Sequence, residues 1–271
     1  MHIDEKEISI FDTETTGLEP ASGDRIVEIA ALRFKGGQRL GQFQSLINTG
    51  QEISPGAFQV NKITAEMLRD APAPGQVIPA FLDFVKGSTL CSYNAGFDLD
   101  FLKHELELLG SRLPQDLPVL DVLKMAKRTL PRMERYALWF VAERLRVERK
   151  QEHRAFSDVE MTFEVFQRLK TILGSKEIAD CESYSRLFSV NRDILENFQA
   201  QRIAEIQEAI DLKVNLKIKY LSTVSAEVSV REVIPREVRR DGACAYLVGY
   251  CCLKKDERSF RVDGILHLEI L

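Results

Sequence analysis

The chain is short of the residues that build staples and zinc knuckles. Its five cysteines (Cys91, Cys181, Cys244, Cys251, Cys252) contain no C-x-x-C pair and are odd in number, which suits reduced thiols rather than a disulfide framework. Four histidines scattered over 271 residues offer no zinc-ligand spacing. No apolar window reaches the length of a membrane span, and the early acids of MHIDEKEISIF do not suit a signal peptide. The expected location is therefore the cytoplasm, with no membrane partner. No biased tract or internal repeat is present, which excludes fibrous and disordered classes. Positive charge is not in excess either: 37 Lys and Arg stand against 41 Asp and Glu, a net charge of -4. A polyanionic partner must then be held by a local patch or through metal ions. What is present, 45% hydrophobic and 29% charged residues, describes one or two globular domains able to bury a core.

The first two thirds alternate strand and helix patterns. Residues 8 to 14, 25 to 34 and 41 to 49 read as three strands of a meander joined by Gly-containing turns. TAEMLRDA and VIPAFLDFV follow with helical spacing, STLCSYN returns to strand, and DLDFLKHELELLG carries Leu99, Leu102, Leu106 and Leu109 on one face. VLDV reads as a last strand before the helices KMAKRTL, YALWFVAERL and FSDVEMTFEVFQRLKTIL. A meander followed by strand and helix alternation implies an α/β layer with a mixed sheet. Near residues 174 to 180 the pattern weakens, and a domain boundary is expected there. A polar helical bridge (183 to 212) leads to VNLKIKY, EVSVREVIP, AYLVGYCC, RSFRVDGI and LHLEIL, short alternating strands spaced like a small barrel or sandwich.

The segment ISIFDTETTGLEP ends an apolar strand on Asp12 and Glu14. Residues two apart in a strand point the same way, so the two carboxylates share a face and repel. They need a shared proton, basic partners or divalent cations, unless the segment is only a polar strand end and turn. Asp98 stands at a helix start, where a carboxylate also serves as a cap, with Asp100 as a second choice. In QEHRAFSDVEMTFEVF, His153 precedes a helix and Asp158 lies in its first turns; singly, such residues are usually surface groups.

In combination, FDTETTGL, SYNAGFDLDFL and HRAFSDVEMTFEVF resemble, in order, the three motifs of the DnaQ-like or DEDDh family of 3′ to 5′ exonucleases, over about residues 7 to 173. INTGQEISPGAFQVNKITAEML follows the family's pattern between the first two. The resemblance implies a ribonuclease H-like mixed sheet with flanking helices. It implies that Asp12, Glu14, Asp98 and Asp158 bind two divalent cations, Mg²⁺ or Mn²⁺, with His153 as general base. Hydrolysis would release nucleoside 5′-monophosphates from a nucleic acid with a free 3′ end, with a replication or repair protein as a further partner. Substrate contacts would come from Thr15, Thr16, Gly17, Leu18, Asn94 and Phe97; for Leu18 and Phe97 ordinary core packing is the competing reading. Two positions depart from the family: Tyr93 stands where many relatives have His, and Asn61 replaces a common His in VNKIT.

Roughly residues 205 to 271 resemble a WYL domain, a small β-barrel of the Sm or SH3-like kind, through IKY, REVIPREV and AYLVGYCCLKKDERSFRVDGILHLEIL. Ala245 stands where the name-giving Trp would be, and Gly264 replaces a basic residue common in the ending. The expected organisation is an exonuclease domain over 1 to 175, a helical linker over 176 to 204 and the WYL-like domain over 205 to 271. Residues 211 to 271 hold eleven Lys or Arg against nine Asp or Glu, a slight positive bias. Tyr220, Arg231, Tyr246, Arg258 and Arg261 are the candidate contacts to nucleic acid or a ligand, set against a solvated surface with core tyrosines. SYSRLF (183 to 188) faintly resembles a sliding-clamp peptide but lacks its leading Gln and reads as a helix face. The alternative to an enzyme is a catalytically silent nucleic-acid-binding or ligand-sensing module on the same fold. No helix-turn-helix pattern precedes the last domain, which argues against a transcription factor.

Overall fold

The computed structural model describes residues 1 to 114, 117 to 148, 153 to 242 and 244 to 271. Residues 149 to 152, which lead up to His153, lie outside the described residues. In chain order the elements are β1 (Glu7–Thr15), β2 (Ile26–Lys35), β3 (Gln38–Leu46), α1 (Pro55–Asn61), α2 (Ala65–Arg69), α3 (Pro74–Val85), β4 (Thr89–Ser92), α4 (Ala95–Leu108), β5 (Val119–Asp121), α5 (Val122–Thr129), α6 (Leu138–Arg144), α7 (Ala155–Ser175) and α8 (Cys181–Phe188). Then come α9 (Arg192–Leu212), β6 (Leu216–Leu221), β7 (Val228–Asp241), β8 (Cys244–Cys251), β9 (Asp256–Arg261) and β10 (Ile265–Ile270).

The first sheet has the order β3-β2-β1-β4-β5, with β1 antiparallel to β2 and parallel to β4. It is the mixed sheet of a ribonuclease H-like fold. Both faces are covered, and strand parity decides which side chain enters which core. Ile8, Ile10, Ala30, Leu32 and Phe34 pack with Met125, Phe163, Phe166 and Leu169 on the side of α5 and α7. Phe11, Ile29 and Ala31 pack with Phe81, Phe101 and Leu102 on the side of α3 and α4. Each fully buried Phe, Leu or Ile contributes about 1.5–3 kcal/mol, so these faces fix the register. Along β1 the even-numbered residues therefore look toward α7 and the odd-numbered ones toward α4.

Helix α1 was not among the expected elements. Ser54 caps it by accepting from the Ala57 N–H at 3.2 Å, and Pro55 occupies its first turn. The expected bridge over 183 to 212 is two helices. Tyr184, Leu187 and Phe188 of α8 are buried in the core beside α7, and Ser189 bridges to Leu120 at the sheet edge. SYSRLF is thus a core helix, not a peptide offered to a partner.

The second sheet is antiparallel, order β10-β6-β7-β8-β9, with α9 laying Ile206 and Ala209 against Leu216, Ile218, Val233, Leu247 and Ile265. No ladder joins β9 to β10 among the described residues, so the expected barrel is not closed by backbone pairing. RSFRVDGI is broken rather than continuous: a 3-10 turn, Val262–Gly264, separates the last two strands. Gly264 is required there because a Cβ would stand 2.9 Å from both the Leu221 carbonyl oxygen and the Tyr220 ring. The two sheets are docked through side chains. Arg128 of α5 donates to Asp263 at 2.6 Å, Arg186 of α8 to the Leu266 carbonyl at 2.6 Å, and Lys176 to the carbonyls of Thr129 at 3.1 Å and Ala226 at 2.5 Å.

Candidate active site

Asp12 and Glu14 are the last even-numbered residues of β1, so the parity that sends Ile8 and Ile10 toward α7 sends both acids there too. Asp158, in the first turn of α7, meets them, and carboxylate oxygens of the three residues lie within 4.8 Å of one another. The helix N-terminus favours a negative charge at Asp158. Thr13 points the other way and meets α4. Asp98 is buried there, its Oδ1 accepting from the Thr13 N–H at 3.0 Å and hydroxyl at 2.7 Å, its Oδ2 from the Ser92 hydroxyl at 2.5 Å. Asp98 is thus outside the three-residue group whose oxygens lie within 4.8 Å of one another, although its charge is the strongest acting on Asp12. One lone-pair direction on Oδ2 is not used by these bonds.

Charge crowding is visible in the proton affinities. Burial pushes Glu14 up to about 8, helped by the negative charges of Asp158, Glu28 and Asp98. Asp12 is raised well above the usual carboxylate range by burial and then by Asp98, Asp158 and Glu14. Burial raises Asp98 to about 6 against the lowering effect of its Ser92 and Thr13 donors. Hard oxygen donors so close together fit divalent cations, whose charge removes the repulsion.

Several positioning residues were missed in the sequence. Glu28, buried in β2 opposite Glu14, works against its own burial penalty by accepting from Arg154 at 2.7 and 3.0 Å and from the Ala155 N–H at 3.2 Å, and it stays below the usual range. It thereby ties the start of α7, and so Asp158, to the sheet. Glu105 does the same for α4, accepting from both Arg25 nitrogens at 2.7 and 2.8 Å and from the Ile26 N–H. The signal for both was an acid inside an apolar helical or strand pattern, RIVEIAAL and FLKHELELL.

His153 is exposed, with φ +50°, one residue before the start of the turn that opens α7. Thr15, Thr16 and Gly17 form a buried turn: the Thr15 hydroxyl donates to the Gly17 carbonyl at 2.5 Å, and the Thr16 hydroxyl to Asp24 at 3.1 Å. A Cβ on Gly17 would collide with Asp24 at 2.2 Å. Asn61, a departure from the family's pattern, is buried and donates to the Thr15 carbonyl at 3.3 Å, holding α1 against this turn. Leu18 is 80% exposed and takes no part in the core, whereas Phe97 packs on Phe101 with ring centres 4.9 Å apart. Asn94 caps α4 with φ +66°, its N–H donating to Asp121. Tyr93 donates to the Tyr136 carbonyl at 2.6 Å. Asp100 is at the surface beside Lys103, outside the cluster.

Of the C-terminal candidates, the fold brings three together. Tyr246 pairs with Arg261 across β8 and β9, and the Arg261 N–H donates to the Tyr220 hydroxyl. Arg231, opposite Ile218, and Arg258, opposite Gly249, stand apart from them.

A mixed sheet ending in clustered carboxylates defines a nuclease of the ribonuclease H-like class. The chain belongs to the exonuclease family, whose description "Exonuclease" (RNase_T) matches residues 9–166, and a WYL domain matches residues 201–270. It is 36% identical over 178 residues to a DNA polymerase III subunit epsilon-like protein of Rhodobacter capsulatus, covering 64% of this chain and 25% of that one. It is 28% identical over 257 residues to the 3'-5' exonuclease DinG of Bacillus subtilis, covering 86% of this chain and 27% of that one. The chain thus spans about a quarter of the length of these relatives. In fold it is similar to the nuclease domain of 3'hExo, a DEDDh family member bound to rAMP, with a TM-score of 0.55 at 18% identity, over 65% of this chain and 96% of that one. No described helix is long and apolar enough to cross a membrane.

Proposed function

We propose that the protein is a divalent-cation-dependent 3′ to 5′ exonuclease that releases nucleoside 5′-monophosphates from single-stranded DNA or RNA. The observation that carries this reading is the convergence of Asp12, Glu14 and Asp158 within 4.8 Å at the end of the exonuclease-family sheet. These three acids, together with Asp98 beside them, would hold two cations, Mg²⁺ or Mn²⁺. Bound there, such ions polarise the scissile phosphate and stabilise the attacking and leaving oxygens.

The chain's own residues do the rest. His153, on the exposed turn ahead of α7, takes a proton from the attacking water, and its position at the surface lets it receive and release that proton to solvent. The Thr15–Thr16–Gly17 turn, closed by Asp24 and Asn61, seats the terminal nucleotide on backbone rather than on mobile side chains. Exposed Leu18 lies against the base, and Phe97 and Asn94 border it from the α4 side. The second domain assists nucleic-acid or ligand binding, with Tyr220, Tyr246 and Arg261 as its grouped contacts and Arg231 and Arg258 as separate ones. Other partners in this reading are replication or repair proteins. With Mn²⁺ present, purified protein should release mononucleotides from labelled single strands of DNA or RNA. Absence of release from every strand tested would overturn the reading.

A further inference from the structure

A cavity of about 880 Å³ lies between the two domains, walled by α5 and the α8–α9 segment on one side and by the ends of β7, β8 and β9 on the other. Eight Lys or Arg side chains line it against two acids, Glu196 and Asp263, in a chain whose net charge is -4. Some of this charge is matched: Asp263 is shared by Arg128 and Arg261, Arg202 pairs with Glu205 at 2.7 Å, and Arg192 with Glu196 at 3.4 Å. Among the described residues Lys124, Lys127, Arg186 and Arg240 have no carboxylate within ion-pair distance.

Arg186 is the most telling of these. It is 6% exposed, one nitrogen is spent on the Leu266 carbonyl, and its Nε meets no acceptor among the described residues. Burial, then the charge of Arg202, pushes its guanidinium down, and burial does the same to the Lys124 ammonium. Glu182, Asp180 and Glu205 offset this only in part for Arg186, as do Asp121 and Asp263 for Lys124, whose ammonium also donates to the Ser189 carbonyl at 2.9 Å; an anion in the cavity would supply further compensation. At this volume the cavity has room for a molecule with many non-hydrogen atoms. Apolar wall is available as well. The half-buried ring of Phe198 lines the cavity and joins none of the hydrophobic clusters among the described residues. Guanidinium and ammonium groups beside an uncommitted ring match phosphate beside a base.

We propose that this interdomain cavity binds the phosphates and a base of a nucleotide or of a single nucleic-acid strand, using Lys124, Lys127, Arg186 and Arg240 for the phosphates and Phe198 for the base. The ligand's chemistry is common to two sources: the 5′-ward part of the substrate strand, or a free nucleotide. Helix α5 is capped by Asp121, which accepts from the Asn94 N–H at 3.1 Å, so the cavity starts about one helical turn from the loop that leads into Asp98. The proposal rests on the assisting role given above to the second domain, but not on hydrolysis.

The test is fluorescence anisotropy on the full chain without divalent ions, using labelled thymidine strands of about 3 and about 12 nucleotides and a labelled nucleoside triphosphate, at roughly 50 to 200 mM salt. Wild type is compared with the double charge reversal K127E/R240E, two exposed positions, and with F198A, which leaves charge untouched; thermal melts confirm that both fold. Loss of about tenfold or more of long-strand affinity in K127E/R240E, with a salt slope lower by about 2 and short-strand affinity unchanged, assigns the cavity to the substrate strand. The same loss for the triphosphate alone assigns it to a free nucleotide. F198A should weaken the same ligand without changing the salt slope. Equal binding of every probe by variants and wild type, or no binding of any probe by wild type, overturns the proposal. Mononucleotide release with Mn²⁺ is measured in parallel: its failure in wild type with the binding pattern intact sinks the hydrolytic reading alone.

Discussion

The two five-stranded sheets use charge in opposite ways. The mixed sheet is covered on both faces and gathers negative charge at the end of its central strand, where Asp12 and Glu14 meet Asp158. The antiparallel sheet is covered chiefly by α9 and contributes to a positive cavity at its margin, where Arg240 and Arg261 face Lys124 and Arg186. In the first case strand parity and one helix start are enough to build the site. In the second the site exists only because two units dock. A local device is compact and strongly coupled; a docked one is roomy and depends on the interface staying closed.

Breaking the acidic end should have the largest effect. Asp12→Ala is expected to lower mononucleotide release by about 10³-fold or more, since it removes one of the three clustered carboxylates, with thermal stability retained; steady-state release assays check this. Glu28→Ala acts on the scaffold instead. It removes the acceptor of the buried Ala155 N–H and of two Arg154 hydrogen bonds, and a loss of about 1–3 kcal/mol in urea unfolding is expected. Ser92→Ala is subtler. Hydrogen bonds to a carboxylate favour its charged form, so losing the 2.5 Å donor should raise Asp98 above about 6 and move the onset of activity to higher pH, with about tenfold loss near neutrality. A pH–rate profile unchanged from wild type would show that the Ser92 bond to Asp98 does not set the pH dependence. The smallest effect belongs to the antiparallel sheet: Gly264→Ala should cost about 1–3 kcal/mol by pressing a methyl group on the Leu221 carbonyl, measured by thermal melt, with little change in release from short strands.

How much could be read beforehand follows the same division. Asp12 and Glu14 stood out as paired carboxylates at a strand end, whereas Asp98, His153 and Asp158 were singled out only by the resemblance to the three family motifs; of these the structure gathers Asp158 with the first two. The orientation of Asp98 was not visible. It depends on Thr13 pointing opposite to Asp12 and on Ser92 ending a separate strand. Glu28 and Glu105 were passed over as polar residues in amphipathic segments, although each is an anchor for a helix that carries a site acid. Helix α1 is short and held largely by its Ser54 cap and by Asn61, so hydrophobic spacing gave it no signal. The bridge over 183 to 212 read as polar because only three apolar residues of α8, Tyr184, Leu187 and Phe188, join the core formed far upstream, while Ser183 and Arg186 are buried beside them. The basic cavity draws on residues from 124 to 263 and leaves only a faint composition bias in the last domain.

The central claim, that the carboxylate cluster is a cation site, is tested most directly by thermal stability against pH with and without Mn²⁺. Burial pushes Glu14 up to about 8 and Asp98 up to about 6 in the folded chain, above the ordinary values of 4.5 and 3.8 that the unfolded chain would show. The folded state therefore holds protons that the unfolded state has lost, and the cluster's contribution to metal-free stability falls as pH rises through that window. Cations bind only the deprotonated acids, so saturating Mn²⁺ should raise Tm strongly at pH 8 and little at pH 5, and Asp12→Asn should abolish the increment at pH 8. An equal increment at both pH values, or one that survives Asp12→Asn, would contradict the account.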